Sequence, residues 1–440
     1  IHKKANVPAV EKMRIICLFD ASFNMINKII GRRLVQSGEA NDMLPWECYG
    51  SRKRRRASEC ALNKVLTTDI LRTTHQPASI CCNDARQCYD RIVHSVANIC
   101  MQRMGAPPEV PKLLLGTIAE LQRYIRTAFG DSTNAYGAVR FPPLQGICQG
   151  NGAGPAIWLI VSAPVIEMLK KEGYGLHLES AISKEYFHFL CYTFVDDTDL
   201  VDSRGMWASD DEITASMQEA LDHWEGGIRA TGGALVPSKS YWYLIRQEWM
   251  KKNRKWGWYY SSEEEAPGEL TLCDHTGTHQ TLERLNPEVA KETLGVWTTI
   301  DGNMHQNKMQ LRAKAQKWAD QVRTGRLSKA AAFISLQQTI MKALEYPLMT
   351  TSFSKQDCFF IMKPILTVAL PKLGYPYPSF PIRIRHGPLM MQGVGLPSLW
   401  HRQLAHKLWA CLAHGTSPDL LGCNLRASLE ALQLTVGTQT

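Results

Sequence analysis

Two adjacent aspartates, Asp196-Asp197, lie inside an apolar stretch near the middle of the chain. Phe194-Val195 precedes them and Leu200-Val201 follows them, a pattern that predicts a β-hairpin with both carboxylates at its tip. Two neighbouring carboxylates in apolar surroundings repel each other and lose hydration unless a cation neutralises them. Asp-Asp pairs also arise by chance. The second pair of this chain, Asp210-Asp211, precedes a predicted helix, where acidic residues act as caps. The pair alone therefore leaves metal binding and a plain turn as alternatives.

A third carboxylate, Asp84, follows the short apolar segment at 79–82, which is typical of a buried strand. Magnesium prefers oxygen ligands and usually combines one or two carboxylates with substrate phosphates. Two such ions about 3.5–4 Å apart can serve both the attacking and the leaving oxygen of a phosphoryl displacement. Asp84, Asp196 and Asp197, at the ends of two strands, are the ligands that such an arrangement needs.

Strand-like and helical segments alternate around these carboxylates. A Gly/Pro/Gln-rich loop at 141–154 leads into a predicted helix at 155–169, because Pro155 suits a first helical turn and Lys170-Lys171 suits a C-terminal end. Hydrophobic periodicity predicts the other elements. These are helices over 13–35, 92–100 and 211–230, a hairpin over 186–200, β-hairpin material over 256–279, and a mainly helical region from 304 with a proline-rich interruption at 371–388.

Five segments, in their order along the chain, resemble the motifs of the reverse transcriptase family. They are Asn83-Asp84-Ala85-Arg86-Gln87-Cys88-Tyr89-Asp90, then Gln145-Gly146-Ile147-Cys148-Gln149-Gly150 through Pro155, Phe194-Val195-Asp196-Asp197, Gly232-Gly233 through Pro237-Ser238-Lys239, and Leu294-Gly295-Val296. Five motifs in the family's order are far more specific than any one of them. The resemblance covers positions 10–300 and implies an α+β right-hand polymerase, with fingers, a palm made of a small antiparallel sheet backed by helices, and a helical thumb.

The resemblance also implies how the chain is divided. Fingers and palm are expected at 1–245, a β-hairpin insert with the primer-grip segment at 246–303, and a helical thumb with a C-terminal extension at 304–440. Three features favour the reverse transcriptases of non-long-terminal-repeat retroelements and group II introns over the retroviral kind. They are Tyr49-Gly50 ahead of the first motif, the long insert before Leu294-Gly295, and the large helical tail.

The matching motifs imply roles for individual residues. Asp84, Asp196 and Asp197 are expected to hold two Mg²⁺ ions, for which Mn²⁺ is a possible substitute, with Ala85 as a further metal contact. Lys239 resembles the lysine proposed to protonate the departing pyrophosphate, and a cation there is useful in either case. Two further aspartates are left out of the catalytic set. Asp90 is expected to cap or pair beside the following helix, and Asp199 to form a salt bridge on the hairpin.

Other matching residues are expected to contact the incoming nucleotide. Tyr89 matches an aromatic residue beneath the sugar, where its ring would clash with a ribose 2′-hydroxyl and so select deoxynucleotides. The alternative is a core tyrosine with a bonded hydroxyl. Gln149-Gly150 matches the pair beneath the nucleotide, and the glycines of this loop permit close approach of template or nucleotide to the backbone. Arg14 and Lys28 resemble basic residues that hold nucleotide phosphates, or they are ordinary surface residues.

Positive charge is concentrated in two runs, 52–56 and 251–255. The 440-residue chain has 50 Lys and Arg against 41 Asp and Glu, a formal net charge of +9, which permits a phosphate-rich partner without proving one. Arg52, Lys53 and Arg54 are expected to contact the template backbone in a salt-sensitive, sequence-independent way. A solvated loop and a nuclear-import signal are the alternatives. Leu294 and Gly295 are expected to contact the primer.

The leading interpretation is an RNA-directed DNA polymerase that uses an RNA template, a DNA or RNA primer, and deoxynucleoside triphosphates. A viral RNA-dependent RNA polymerase is the first alternative, but its third motif is usually Gly-Asp-Asp and its sugar site avoids a bulky gate, so Val195 and Tyr89 argue against it. A non-catalytic RNA-binding descendant, of the maturase or splicing type, is the second. Such proteins tend to lose the acidic ligands, whereas this chain retains all three.

The cysteines indicate the compartment. There are 13, an odd number without repeated spacing, and no apolar stretch approaches the roughly 18 residues that span a bilayer. We therefore expect a reducing intracellular compartment and no membrane partner: the nucleus for a eukaryotic retroelement, otherwise the cytoplasm. Cys273, His275 and His279 fall short of the four ligands of a structural zinc site and are better explained by a hairpin turn. Because the chain begins at Ile1, we expect a preceding segment.

Overall fold

The computed structural model describes residues 16–135, 145–252 and 254–438, which form two compact units. The first contains the described residues of Ile1–Arg56, Gln76–His177 and His188–Leu285. The second contains those of Ala57–His75, Leu178–Phe187 and Asn286–Thr440. The three-part division expected from the sequence stays a prediction.

The helices and strands are numbered here in chain order. The helices are α1 (Ala21–Ala40), α2 (Ala57–Thr74), α3 (Cys88–Arg91), α4 (His94–Arg103), α5 (Glu109–Glu120), α6 (Gly154–Lys171), α7 (Asp210–Ala230), α8 (His305–Thr324), α9 (Lys329–Ser335), α10 (Met341–Glu345), α11 (Lys355–Leu373), α12 (Ile382–His386), α13 (Leu399–His414) and α14 (Leu420–Val436). The strands are β1 (Ala78–Asp84), β2 (Arg126–Thr127), β3 (Gly130–Asp131), β4 (Leu176–Glu179), β5 (Tyr186–Phe189), β6 (Cys191–Phe194), β7 (Asp197–Asp202), β8 (Tyr241–Ile245), β9 (Gln247–Lys252), β10 (Lys255–Tyr260), β11 (Thr271–Cys273), β12 (His279–Thr281), β13 (Glu283–Arg284), β14 (Lys291–Thr293) and β15 (Val296–Thr298).

A five-stranded sheet in the order β13-β8-β1-β7-β6 lies at the centre of the first unit. The strand β1 lies between two antiparallel neighbours, with Ile80 opposite Val201 of β7 and opposite Tyr243 of β8. Because β1 has a neighbour on each side and its first six residues are buried, its register is determined by both pairings and by burial. The α+β fold, with a small sheet backed by helices, is confirmed.

Two long helices cover this sheet. The helix α7 packs on β1 and β7, and α6 packs on α7, α1 and α4. Twelve residues of α6 are buried, as expected for a helix that is apolar on all sides. By contrast, α7 is amphipathic and begins with a capping box formed by Ser209 and Glu212. The predicted helices at 155–169 and 211–230 are confirmed, and Asp210-Asp211 lies in the first turn of α7.

The single hairpin predicted over 186–200 is wrong in its first half. The strand β5 pairs with β4, whereas β6 and β7 form the hairpin that carries the paired aspartates. The change of partner falls at Leu190, whose carbonyl accepts a hydrogen bond from Val201. The largely apolar and aromatic character of 186–195 hides this change, because two successive strands with different partners have the same local pattern as one long strand.

The second unit is mainly helical, as predicted from 304 onward. The helices α8 and α11 pack together, as do α2 and α14. The contact of α2 with α14 includes a buried hydrogen bond of 2.6 Å from the Asn424 amide to the Asn63 side-chain oxygen. Pro364 and Pro371 lie inside α11, which ends at Gly374 in a left-handed conformation. None of the helices in the described part of the chain has the length and apolar character needed to cross a bilayer.

The capping box gives a local test of this fold. In Ser209→Ala, the amide of Glu212 loses the side-chain oxygen that accepts its hydrogen bond at 3.2 Å. Loss of such a cap costs about 1 kcal/mol, so amides in the first turn of α7 are expected to exchange with solvent about fivefold faster. Hydrogen exchange resolved by mass spectrometry measures this. Ser209→Thr keeps the acceptor and should exchange as the wild type does; unchanged exchange in the alanine variant would contradict the assignment.

Candidate active site

The three predicted carboxylates come together at one end of the strands β1 and β7 in the central sheet. Asp84 is the last residue of β1 and lies directly opposite Asp197, the first residue of β7. Asp196 immediately precedes Asp197 in the β6–β7 turn. Directly opposed residues of antiparallel strands have Cβ atoms about 4.5–5.5 Å apart, so the register alone places two acidic side chains side by side.

Desolvation and the neighbouring carboxylates both act on the pKa of Asp197. Although the residue reaches solvent at the turn, desolvation of its carboxylate raises its pKa to about 6, and the charges of Asp196, Asp199 and Asp84 add to the increase. The nearby Lys239 opposes it. A carboxyl with a raised pKa beside other carboxylates is a site where a bound cation is favourable.

Lys239 supplies one positive charge to this end of the strands. Its ammonium forms an ion pair with Asp84 Oδ2, while the side chain remains 63% exposed. The preceding segment pairs with the end of β1: Val236 N–H donates to the Asp84 carbonyl at 3.0 Å, and Arg86 N–H donates to the Ala234 carbonyl at 2.8 Å. The first and fourth predicted motifs are thus joined by backbone hydrogen bonds, and Lys239 is directed at the carboxylates.

The residues present fit divalent ions. All three candidate ligands are carboxylates, the oxygen donors that hard cations prefer, and the Lys239 ammonium already acts as a cation beside Asp84. In the described ranges no three His, Cys, Asp or Glu side chains are already arranged around a common point. Ala85 lies opposite Leu235 in an isolated bridge. The backbone hydrogen bonds on either side of Ala85 are made by the Asp84 carbonyl and the Arg86 amide.

The turn that carries the paired aspartates has an unusual backbone. Val195 has a φ of +63°, a left-handed conformation that is strongly disfavoured for a β-branched residue. The indole N–H of the buried Trp158 donates to the Val195 carbonyl. On the other side, a Cβ at Gly50 would lie 2.6 Å from the Val195 amide nitrogen. The strained turn is therefore held between a tryptophan and a glycine, neither of which was predicted as a site residue for this purpose.

The segment that ends at Gly50 is fixed to the same hairpin. Tyr49 N–H donates to the Thr193 carbonyl at 2.9 Å, and Thr193 N–H donates to the Glu47 carbonyl at 3.2 Å. Tyr49 is completely buried. The sequence indicated Tyr49-Gly50 only through a family resemblance. In the structure this segment runs along β6 and is hydrogen-bonded to it just before the turn.

The predicted nucleotide loop is held by its own backbone. The amide of Gln149 donates to Asp90 Oδ1 at 3.2 Å, and the Gln149 carbonyl accepts from Cys17 at 2.7 Å. Ile147 N–H donates to the Tyr89 carbonyl at 2.7 Å. Asp90 therefore joins the first motif to the second, whereas the sequence predicted only a cap or an ion pair beside its own helix.

The loop glycines have a structural reason in this chain. Gly150 has a φ of +111°, and a Cβ there would collide with the Cys17 carbonyl oxygen. A Cβ at Gly152 would lie 2.8 Å from the Asn24 carbonyl oxygen. The close neighbours of both glycines are residues of the protein's own segment at 16–28, and the predicted approach of template or nucleotide to Gly150 stays a prediction.

The structure describes two of the three residues that are predicted to contact the sugar or the phosphates of the nucleotide. Tyr89 is half-buried, and burial together with the charges of Cys88 and Asp196 raises the pKa of its hydroxyl. Its ring also faces Gly154, where a Cβ would lie 3.6 Å from a ring carbon. Lys28 is exposed on α1. Arg14 lies outside the described residues, so its predicted phosphate contact stays a prediction.

The basic run contains residues of two kinds. Arg52 forms a two-point ion pair with Glu39, at 2.6 and 2.7 Å, and donates to the Pro45 carbonyl at 2.6 Å. Its guanidinium is thus engaged by groups of the protein itself, and the predicted contact of Arg52 with nucleic acid stays a prediction. Lys53 and Arg54 are exposed, and their contact with template stays a prediction.

The predicted primer-grip residues belong to the second unit. Leu294 and Gly295 connect β14 to β15, with φ values of +51° and +79°, the signature of a two-residue hairpin turn. The hydroxyl of Tyr346 donates to the Leu294 carbonyl at 2.7 Å. The positive φ of Gly295 explains why glycine occupies the second turn position. The contact of Leu294 and Gly295 with a primer stays a prediction.

Comparisons with known proteins give the family. The model of the reverse transcriptase (RNA-dependent DNA polymerase) family matches residues 1–258. Among solved structures, the chain is similar to telomerase from Candida albicans in complex with a TWJ fragment of telomeric RNA, at 10% identity and a TM-score of 0.33, over 92% of this chain and 58% of that one. Apo telomerase from Candida tropicalis is similar at 11% identity and a TM-score of 0.34, over 92% and 60%. Comparison with curated proteins finds no match.

A helix-backed antiparallel sheet with carboxylates at adjoining strand ends is the architecture of a polymerase palm. The chain belongs to the reverse transcriptase (RNA-dependent DNA polymerase) family. This confirms the family and the fold class that were predicted from the sequence. Reverse transcriptase domains generally use divalent metal ions. The chain spans less than two thirds of the two telomerase chains it is similar to.

The raised pKa of Asp197 predicts a pH-dependent stability. Because the folded-state pKa is about 6 against an ordinary 3.8, the folded state binds the proton more tightly than the unfolded state does, and stability is lost as the pH rises from 4 through 6. Metal-free Asp197→Asn should therefore melt at a higher temperature than wild type at pH 7.5, and the difference should shrink by pH 4. Asp211→Asn, an exposed aspartate of α7, serves as the control. Equal melting of all three proteins at pH 7.5 would refute the raised pKa of Asp197.

The Trp158 hydrogen bond predicts a positioning role. In Trp158→Phe the Val195 carbonyl loses its indole donor, which costs about 0.5–1.5 kcal/mol, and the strained turn is expected to hold Asp196 and Asp197 less firmly. We expect kcat for nucleotide incorporation to fall several-fold, with little change in KM for the nucleotide. Steady-state primer extension measures both constants. Trp224→Phe, at another buried tryptophan, should leave kcat unchanged, and an equal loss in both variants would argue against a specific role.

Proposed function

We propose that this chain is the polymerase core of a retroelement reverse transcriptase, which copies RNA into DNA with two magnesium ions. The observation that carries the proposal is the register that places Asp84 opposite Asp197, beside Asp196, with Lys239 at the same end of the strands. The family membership supports RNA-directed DNA synthesis. Tyr49-Gly50 ahead of the first motif, the insert before Leu294 and the helical tail support a retroelement source.

In the proposed reaction, the primer 3′-oxygen attacks the α-phosphorus of a deoxynucleoside triphosphate, and the bond from that phosphorus to pyrophosphate breaks. Asp84, Asp196 and Asp197 would hold the divalent ions. When bound, such ions make the hydroxyl a better nucleophile at neutral pH and neutralise charge on the phosphates. Mn²⁺ offers the same oxygen-based coordination and is the proposed substitute.

The remaining residues would orient and discriminate. Lys239 holds an exposed ammonium beside the carboxylates, from which it can donate a proton to the departing pyrophosphate. Tyr89 presents a half-buried ring near Asp196, where its bulk would exclude a ribose 2′-hydroxyl. Gln149, with its backbone bonded on both sides, would form a stable floor beneath the nucleotide.

The proposed partners are an RNA template, a DNA or RNA primer, and deoxynucleoside triphosphates. The proposed compartment is intracellular, and it is the nucleus if the host is eukaryotic. Contacts of Lys53 and Arg54 with the template backbone would be sequence-independent and salt-sensitive.

Primer extension on an RNA template tests this function. Wild-type protein with Mg²⁺ is expected to incorporate deoxynucleotides, and Asp196→Ala is expected to lower the rate about a thousandfold, because removal of a metal ligand loses several kcal/mol of transition-state stabilisation. Asp211→Ala removes an exposed carboxylate of α7 and should retain full activity. Preference for ribonucleotides would indicate an RNA-dependent RNA polymerase. RNA binding without incorporation, with Mg²⁺ or Mn²⁺, would indicate a non-catalytic descendant.

A further inference from the structure

A two-stranded hairpin, formed by β9 and β10, follows the central sheet and has no part in the site described above. Its strands pair with Trp249 opposite Trp258 and Lys251 opposite Trp256. Directly opposed residues of an antiparallel pair lie on the same face, and alternate residues along a strand share that face. Trp249, Trp256 and Trp258 therefore lie on one face of the hairpin, together with Lys251.

This face is the more exposed of the two. The side chains of Trp249, Trp256 and Trp258 are 56%, 63% and 45% exposed. On the opposite face, Met250 and Tyr259 are only half-exposed. A short two-stranded hairpin gains little stability from tryptophans that stay in water, and clustered exposed apolar side chains usually mark an interaction surface.

The arrangement of the rings suits flat partners. Trp249 and Trp258 meet edge to face, with ring centroids 5.7 Å apart and an interplanar angle of 66°. Trp256 lies further toward the hairpin tip, opposite Lys251 rather than opposite another ring. The face thus presents three indoles and a lysine, without the aliphatic side chains that dominate protein-binding or lipid-binding surfaces.

The charges at the hairpin tip select a polyanion. Lys251, Arg254 and Lys255 are exposed at the adjoining ends of β9 and β10; Lys251 lies on the tryptophan face, whereas Lys255 lies opposite Lys252 on the other face. Lys252, on the other face, approaches Glu265 at 4.0 Å and the Tyr259 ring at 5.6 Å. Cations beside exposed aromatic rings are the combination with which proteins hold single-stranded nucleic acid, since every base offers a π-face and every nucleotide a phosphate.

We propose that the paired strands β9 and β10 bind single-stranded RNA, with bases stacked on Trp249, Trp256 and Trp258 and phosphates next to Lys251, Arg254 and Lys255 at the strand ends. Only the choice of RNA rests on the proposed function, because an RNA-copying polymerase has an unpaired RNA template strand to hold. The stacking and charge argument itself depends on the hairpin alone.

Binding of a labelled single-stranded RNA 15-mer to the full chain, measured by fluorescence anisotropy, tests the proposal. Trp256→Ala is the most informative variant, since Trp256 is outside the Trp249–Trp258 pair. Loss of one base stack is expected to weaken binding about five- to a hundredfold. Trp207→Ala removes an even more exposed tryptophan, 94% accessible, outside the hairpin and should bind as wild type does. Trp256→Phe keeps a ring and should retain most of the affinity, even if the alanine variant folds poorly.

A charge variant tests the phosphate contacts separately. In Lys251→Ala/Lys255→Ala, the slope of log affinity against log salt is expected to become shallower by about 1.4, because each single-strand phosphate contact contributes about 0.7. Lys112→Ala/Lys171→Ala removes two exposed lysines elsewhere in the first unit and should leave the slope unchanged. Equal slopes in both double variants would overturn the proposal.

Three further outcomes would overturn it. The first is that the wild-type protein binds a DNA 15-mer more tightly than the RNA 15-mer. The second and third are that Trp256→Ala loses binding to phosphatidylserine vesicles, or loses self-association, while its RNA binding is unchanged. Single-nucleotide incorporation on a short annealed template separates this inference from the proposed function. Normal incorporation with unchanged RNA binding in Trp256→Ala overturns the hairpin's role alone. Wild-type protein that makes no DNA, yet loses RNA affinity in Trp256→Ala, overturns the polymerase proposal alone.

Discussion

The antiparallel register of β1 with β7 is the constraint on which the candidate site depends, because it holds mutually repelling carboxylates side by side. Asp84 and Asp197 face each other because β1 is a central strand with both pairings in register, and a slip by one residue would send one of them to the opposite face. The sheet therefore maintains a charge arrangement that is unfavourable by itself. The Lys239 ammonium partly offsets this repulsion.

Maintaining this arrangement requires support from elements that carry no chemistry. Val195 has a backbone conformation disfavoured for its residue type, and Trp158 and Gly50 meet it from two sides. The helix α6, which carries Trp158, has twelve buried residues and packs on α1, α4 and α7. Packing of this helix thus reaches the turn that carries Asp196 and Asp197 through one indole hydrogen bond.

The loop of the second motif illustrates how one sequence feature can have two explanations. Glycines in a polymerase motif suggest room for a substrate, yet Gly150 and Gly152 are crowded by Cys17 and Asn24 of the same chain. A glycine-rich pattern shows that something approaches the backbone closely, and the identity of that neighbour depends on the fold. The same is true of Arg52, whose charge suggested a phosphate and whose partner is Glu39.

Local periodicity and residue chemistry were enough to predict the helices α6 and α7, the apolar hairpin with Asp196 and Asp197, and Asp84 at a strand end. These features depend on neighbours within a few positions, so the sequence by itself determines them. Tertiary structure alone decided that Lys239, 155 positions from Asp84, is its ion-pair partner. It also decided that β5 pairs away from β6. Such pairings arise because packing brings distant segments together, and no local pattern contains that information.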